Sequence, residues 1–185
     1  MPTPVFERLL ARATLREAFA RVRANGGCRG ADGQTIGAFA ARLETELDSL
    51  EASLWSGTYR ALPLLRFAVP KAAGGERFLA VPTVRDRVAQ SAAYLVSRDQ
   101  FEAEFEDTSH GFRPGRSVRT AVEQIRALRD RGFRWVVDAD IDDYFASVPH
   151  ERLFERLARL GLPPPLDLRA YLELKAAAGD PAAAR

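Results

Sequence analysis

The strongest constraint on the fold of this chain lies in residues 134–145, where an apolar run leads into four aspartates and then two aromatic rings. The pattern predicts a buried β-strand over residues 134–141, because successive side chains of a strand alternate between its two faces. Asp138 and Asp140 would then share one face. Two carboxylates held that close repel each other, and a hard divalent cation with oxygen ligands is the usual remedy. The sequence therefore predicts a metal site at the end of this strand.

Length and composition are those of an ordinary globular protein with one core or two small lobes, at 185 residues with 46% hydrophobic and 28% charged side chains. No apolar run is long enough to cross a bilayer, and the first residues include Glu7 and Arg8 instead of an apolar secretory segment. A lone cysteine, Cys28, excludes an internal disulfide and fits a reducing compartment. We expect a cytoplasmic protein that does not associate with membranes.

Charge is distributed in alternating blocks. Residues 59–98 carry seven basic and two acidic side chains, whereas residues 99–110 carry five acidic and no basic ones. A track for a polyanion beside an acidic metal site has this layout, and so do alternating solvated helix faces. Of the 27 basic residues only Lys71 and Lys175 are lysines. A lysine at position 71 therefore calls for a specific reason.

Hydrophobic periodicity predicts an α+β fold. Apolar residues at intervals of three and four predict helices that begin near Thr14, Ile36, Thr83, Ser117 and Ser147. Thr14, Thr83 and Ser117 are expected to cap their helices. The apolar stripe from Ile36 predicts a single helix of about five turns that ends near Gly57. Two short apolar runs, residues 64–69 and 77–81, flank a glycine-containing segment and predict a β-hairpin. The strict alternation of strand and helix that marks a doubly wound sheet is missing.

Four stretches, taken together and in order, resemble the motifs of group II intron-type bacterial reverse transcriptases: residues 25–39, 69–90, 111–117 and 135–150. The third reads Gly-Phe-Arg-Pro-Gly-Arg-Ser and the fourth opens with Trp-Val-Val-Asp-Ala-Asp. The resemblance implies a right-hand polymerase. Its parts would be an N-terminal helical extension (1–57), fingers (58–133) and the start of a palm (134–185) that stops before the family's Tyr-x-Asp-Asp motif.

The resemblance also implies residue roles for an RNA-directed DNA polymerase that binds an RNA template, a DNA primer and a deoxynucleoside triphosphate (dNTP). In this family two Mg²⁺ ions assist nucleotidyl transfer. Asp140 matches the first metal-binding aspartate, and Ile141 matches the residue whose carbonyl is a second ligand. Phe145 matches the aromatic ring beneath the incoming sugar. Lys71 and Arg77 match the hairpin cations that hold the triphosphate.

Arginines in the third motif and after the hairpin have two interpretations. Arg113 and Arg116 would contact template phosphates, or they would brace their loop against the acidic block at residues 99–107. Arg85 and Arg87, on the helix after the hairpin, are interpreted as structural. Both alternatives for Arg113 and Arg116 stay open at this point.

The sequence also departs from the family pattern. Phe78 stands where the family usually has proline and Ala80 where it has glycine. The 185 residues contain no Tyr-x-Asp-Asp. We therefore expect the chain alone to be catalytically incomplete, with a fused or complementary domain supplying the rest of the palm and a thumb.

Two other functions compete with polymerisation. The first is a non-catalytic, maturase-like module that binds RNA or a partner. The second is an Asp-x-Asp phosphatase built on Asp138 and Asp140. Such a phosphatase needs a later lysine and a further acidic pair, and only Lys175 follows.

Overall fold

A computed structural model describes residues 4–70, 74–141 and 144–159 of the chain. It divides into two compact units, and each is described by itself. The first contains the described residues up to Ser97 together with those from Phe145 onward, and the second is Arg98–Tyr144. The predicted domain boundaries at residues 57/58 and 133/134 stay predictions.

Eight helices and one hairpin make up the regular structure of the described residues. In order they are α1 Pro4–Leu10, α2 Arg12–Asn25, α3 Ile36–Ala41, α4 Leu43–Trp55, β1 Leu65–Pro70, β2 Glu76–Val81, α5 Val84–Glu104, α6 Val118–Asp130, α7 Tyr144–Ser147 and α8 His150–Arg159. This mixture of helices with a small two-stranded sheet confirms the α+β class. None of these helices is both long and apolar enough to span a membrane.

The core of the first unit is built from helices α1 to α4 and the beginning of α5. Phe19 of α2 stacks on Phe39 of α3 with 5.3 Å between ring centroids. Fully buried apolar side chains surround the pair, among them Leu15, Leu47, Leu50, Val84 and Val88. Burying each such side chain contributes about 1.5–3 kcal/mol, so this cluster is the main source of stability in the unit.

Two predicted helix boundaries need correction. Helix α2 begins at Arg12 after Ala11, so the predicted cap at Thr14 is wrong and Thr14 lies inside the first turn. The helix predicted from Ile36 is interrupted at Arg42, whose φ of −125° and ψ of 29° leave the helical region. The apolar stripe continues across the break because α3 and α4 bury residues in the same core.

The hairpin predicted around residues 70–76 is confirmed. Strands β1 and β2 pair antiparallel, from Leu65 opposite Val81 to Pro70 opposite Glu76. Gly74 and Gly75 precede β2 with φ values of 89° and 82°, in the left-handed region that glycine adopts without strain.

The strand predicted over residues 134–141 is wrong as a description of the structure. These residues form neither helix nor strand, and Trp135 and Val137 are 96% and 91% exposed. A strand requires a neighbouring strand to satisfy its backbone N–H and C=O groups. Among the described residues the only sheet is the β1–β2 hairpin, which offers residues 134–141 no pairing.

Candidate functional site

The predicted metal-binding residues lie together in the second unit. The Asp140 carboxylate accepts a hydrogen bond from the Ile141 backbone N–H at 3.0 Å, and both residues are exposed. This local bond orients one carboxylate oxygen and leaves the other on the surface. Asp138 is also exposed. An exposed carboxylate costs little to keep charged and is accessible to a cation.

The chemistry of these donors fits a hard divalent cation, since the Asp140 carboxylate and the Ile141 carbonyl both offer oxygen. These two donor groups alone do not complete a metal site. Within the described ranges, no cluster of three or more His, Cys, Asp or Glu side chains could hold a metal ion. Asp142 and Asp143 lie outside those ranges. The described residues therefore supply part of a metal site.

Two of the three predicted dNTP-binding residues, Arg77 and Phe145, belong to the first unit. Lys71 lies outside the described residues. Arg77 sits in β2, where its backbone pairs with Val69, and Phe145 lies in the short helix α7. The side chains of Arg77 and Phe145 are not among those the structure describes. The hairpin that carries Arg77 is thus in place, while the roles of all three residues stay predictions.

A buried carboxylate that the sequence reading missed anchors the base of this hairpin. Asp86, in the first turn of α5, is 1% exposed. It accepts hydrogen bonds from the Tyr59 hydroxyl at 2.6 Å, the Leu62 N–H at 3.1 Å and the Thr83 hydroxyl at 2.7 Å. The Thr83 hydroxyl in turn accepts from the Asp86 N–H, which confirms the predicted cap of this helix. The carboxylate ties the segment before β1 to the junction after β2.

The glycine-rich loop of the first motif packs against the same junction. A Cβ on Gly30 would lie 2.5 Å from the Thr83 Cα, so only glycine fits there. Arg87 donates to the carbonyls of Gly26 at 3.3 Å and Cys28 at 2.7 Å. Arg85 donates to the Ser53 hydroxyl and lies over a tyrosine ring. The structural interpretation of both arginines is confirmed.

In the second unit, Arg113 braces its own loop. Its side chain is 6% exposed, pairs with Glu102 at 2.7 Å and donates to the carbonyls of Glu106 and Ser109. Arg116 pairs with Asp107 at 3.2 Å and is 29% exposed. These contacts support the interpretation in which both arginines brace their loop against the acidic block at residues 99–107. Contact of either arginine with template phosphate stays a prediction.

The helix that follows this loop is held by polar contacts at its start. Ser117 caps α6 by accepting from the Thr120 N–H, as predicted. His110 lies within hydrogen-bond distance of the Thr120 hydroxyl at 3.0 Å and of the Gln124 side-chain oxygen at 2.6 Å. The loop of the third motif is therefore fastened on both sides.

Comparison with known proteins decides the family. The family model for reverse transcriptase (RNA-dependent DNA polymerase) matches residues 69–183, more than half of the chain. The chain belongs to the reverse transcriptase family. It is therefore a member of an RNA-directed DNA polymerase family whose enzymes generally use divalent metal ions. The resemblance noted from the four motifs is confirmed.

Three relatives illustrate how this reverse transcriptase chain aligns. It is 38% identical over 134 residues to protein YkfC of Escherichia coli (strain K12), covering 70% of this chain and 35% of that protein. Over 111 residues it is 36% identical to the group II intron-encoded protein LtrA of Lactococcus lactis subsp. cremoris, covering 60% of this chain and 18% of LtrA. Over 112 residues it is 35% identical to a 91 kDa protein in the cob intron of Schizosaccharomyces pombe (strain 972), covering 60% of this chain and 14% of that protein.

The matched part of the chain spans about a third of the E. coli relative and less than a fifth of the other two. Two of these relatives are named for introns, which agrees with the group II intron-like character read from the motifs. The Asp-x-Asp phosphatase alternative finds no support among these matches.

Proposed function

We propose that this chain forms the N-terminal extension, fingers and first part of the palm of a group II intron-type reverse transcriptase. The observation that carries the proposal is the family match over residues 69–183. That range includes Arg77, Asp140 and Phe145 in the order of the family's motifs. The substrates are an RNA template, a DNA primer and a dNTP.

Asp140 and the Ile141 carbonyl hold one of two divalent ions, with Mg²⁺ as the physiological choice. The exposure of both residues and their oxygen donors support this role. Bound divalent ions supply positive charge to the nucleophile and leaving group of nucleotidyl transfer. The 185 residues contain no Tyr-x-Asp-Asp, so within them Asp140 and Ile141 supply only part of a two-metal ligand set.

Lys71 and Arg77 bind the triphosphate, and Phe145 packs against the sugar of the dNTP. Support comes from the position of Arg77 in the hairpin. It lies four positions before the end of β2, and so toward the end of the strand that is away from the Asp86 junction. The junction at Asp86 anchors this hairpin at its base. A hairpin held at its base is a suitable support for cations that bind phosphate.

Arg113 and Arg116 act at the template. Arg113 donates to Glu102 of α5 and to two carbonyls of its own loop, so its part is to hold the loop in shape. Arg116 keeps more exposure, and among the described residues its carboxylate partner is Asp107, which is itself 96% exposed. A template phosphate can compete with that surface pair for the guanidinium.

Equilibrium binding to an RNA template annealed to a DNA primer tests the proposal. We expect the 185-residue chain to bind the labelled duplex, with affinity that falls steeply as salt rises because phosphate contacts release counterions. Added dNTP matching the next template base should strengthen binding in the wild type and less so in Arg77→Ala. A chain that does not bind the duplex even at low salt contradicts the proposal.

A second candidate, RNA binding without catalysis, has one observation in its favour. Helix α6 exposes three arginine side chains, Arg119, Arg126 and Arg129, of which Arg119 pairs with Glu123 and Arg129 with Asp130. Exposed arginines of this kind contact phosphates without reading sequence. This candidate predicts that dNTP has no effect on duplex binding and that Asp140→Ala binds RNA as the wild type does. The two candidates therefore differ in their response to dNTP.

A further inference from the structure

One face of the hairpin carries an exposed aromatic ring with a cation over it. Cross-strand pairs share a face, so Arg66 opposite Ala80 and Ala68 opposite Phe78 lie on the same side. The Arg66 guanidinium lies over the Phe78 ring, 4.8 Å from its centroid. We call Arg66, Ala68, Phe78 and Ala80 the Phe78 face.

The Phe78 ring is 61% exposed in the first unit. The ring is the one large apolar side chain of its face; Ala68 lies across from it, and Ala80 and Glu76 flank it along β2. On the side toward Arg66 the alanine methyl groups stand low beside the ring, so a flat molecule can lie there without a clash. Leaving a phenylalanine ring exposed forgoes the free energy of burying it, which an occupant would recover.

Charge argues that the occupant is an anion. Among the ion pairs of the described residues, none involves Arg66. Residues 59–98 carry seven basic and two acidic side chains. One of the two acids, Asp86, is buried and hydrogen-bonded. The other, Glu76, is exposed on the same face, on the far side of the Phe78 ring from Arg66. An apolar protein surface placed here would bury the Arg66 charge without a counter-ion.

We propose that the Phe78 face binds an unpaired nucleotide of a single-stranded nucleic acid, with the base stacked on the Phe78 ring and Arg66 guanidinium and the phosphate near Arg66. Bases of single strands stack on aromatic rings and on guanidinium planes, and every base has such a face. A base inside a duplex has no free face to offer. The inference rests on the proposed function, because it assumes that the chain binds nucleic acid.

The face is a property of this chain more than of its family. Phe78 stands where the family usually has proline, a residue without an aromatic ring. It also lies on the opposite side of the hairpin from Phe67, whose cross-strand partner is Leu79. Phe67 is 39% exposed and has no cation over its ring among the contacts of the described residues, so it serves as a matched control.

The test is a titration of labelled single strands of about twelve nucleotides with the 185-residue chain. Stacking on an aromatic side chain predicts that Phe78→Ala weakens binding roughly tenfold. Phe78→Tyr should bind like the wild type, and Phe78→Leu, which keeps apolar area without a π-face, should lose affinity like the alanine variant. Arg66→Lys keeps the charge but loses the planar guanidinium, so its affinity should fall between those of Phe78→Ala and the wild type.

An abasic strand of the same length provides the decisive comparison. It keeps the phosphates but has nothing to stack, so Phe78→Ala and the wild type should bind it equally. RNA and DNA strands of one sequence assign the source of the nucleotide. If Phe78→Ala loses affinity only for RNA, the nucleotide belongs to the template; if it loses affinity only for DNA, the nucleotide belongs to the primer.

Three results would overturn the inference. They are unchanged affinity of Phe78→Ala, an equal loss in Phe67→Ala, and an equal loss on the abasic strand. Thermal unfolding separates these outcomes from misfolding, and the tyrosine and leucine pair decides the question if the alanine variant does not fold. A wild-type chain that binds neither single strands nor template–primer duplex overturns the proposed function as well. If the chain binds the duplex but Phe78→Ala leaves its affinity for single strands unchanged, only the inference is overturned.

Discussion

The Tyr59 hydroxyl donates a 2.6 Å hydrogen bond to the Asp86 carboxylate, and both residues are buried. This bond joins the segment that enters the hairpin to the helix that leaves it. Because the same carboxylate also accepts from Leu62 and Thr83, the base of the hairpin depends on a single side chain.

Removing that carboxylate should destabilise the first unit. Asp86→Ala leaves the buried Tyr59 and Thr83 hydroxyls and the partly buried Leu62 N–H without this acceptor, and we expect a loss of about 3 kcal/mol in the free energy of unfolding. Tyr59→Phe removes the hydroxyl's bond to Asp86 and should cost about 1 kcal/mol. Urea unfolding measures both. Equal stability of Asp86→Ala and the wild type would show that the hairpin is anchored in another way.

Gly30 should tolerate no side chain. In Gly30→Ala the new methyl would meet the Thr83 backbone at 2.5 Å, and we expect destabilisation of about 1–3 kcal/mol. Gly37→Ala is the matched control, because its Cβ would meet only the Thr35 hydroxyl at 3.9 Å within a helix. That control should be neutral or slightly stabilising. Thermal unfolding of the two variants distinguishes a close backbone approach from a general effect of added methyls.

Arg113 and Arg116 should separate into a stabilising and a binding residue. Arg113→Ala breaks a mostly buried pair with Glu102, which is itself 37% exposed, so we expect a loss of about 1–3 kcal/mol and faster hydrogen exchange in the loop. Arg116→Ala breaks an exposed pair and should cost less than about 1 kcal/mol.

The same two variants decide their role at the template. If Arg116 contacts a phosphate, Arg116→Ala lowers the salt dependence of RNA binding by about one counterion. A salt dependence unchanged in Arg116→Ala would leave bracing as its only role. Arg113→Lys, which keeps the charge but not the planar fork, should unfold more easily than the wild type while binding RNA with the same salt dependence.

The 185-residue chain alone should not extend a primer, because it contains no Tyr-x-Asp-Asp whose carboxylates would hold two metal ions together with Asp140. Primer extension on an RNA template in the presence of Mg²⁺ measures this. We expect no DNA product from the wild type or from Asp140→Ala. Product that depends on Mg²⁺ and disappears in Asp140→Ala would contradict the expectation and show that this chain holds a complete site.

Local patterns predicted most of the regular structure. The hairpin, the Thr83 cap of α5 and the Ser117 cap of α6 were all read from short stretches, because turn glycines and capping hydroxyls act within a few residues. The strand over residues 134–141 failed for the opposite reason. Alternation describes the two faces of a strand but not the neighbour that must accept its hydrogen bonds.

The sequence by itself determined the family, the helical core, the hairpin and the set of residues proposed for metal and dNTP binding. Tertiary structure decided what individual side chains do. Asp86 lies 24 and 27 positions from two of its donors, and Gly30 packs against Thr83 at the start of α5. Because these partners are distant in sequence, no local pattern predicted either contact. Arg113 could have faced solvent or its own loop, and only the fold brought Glu102 and two carbonyls within reach of its guanidinium.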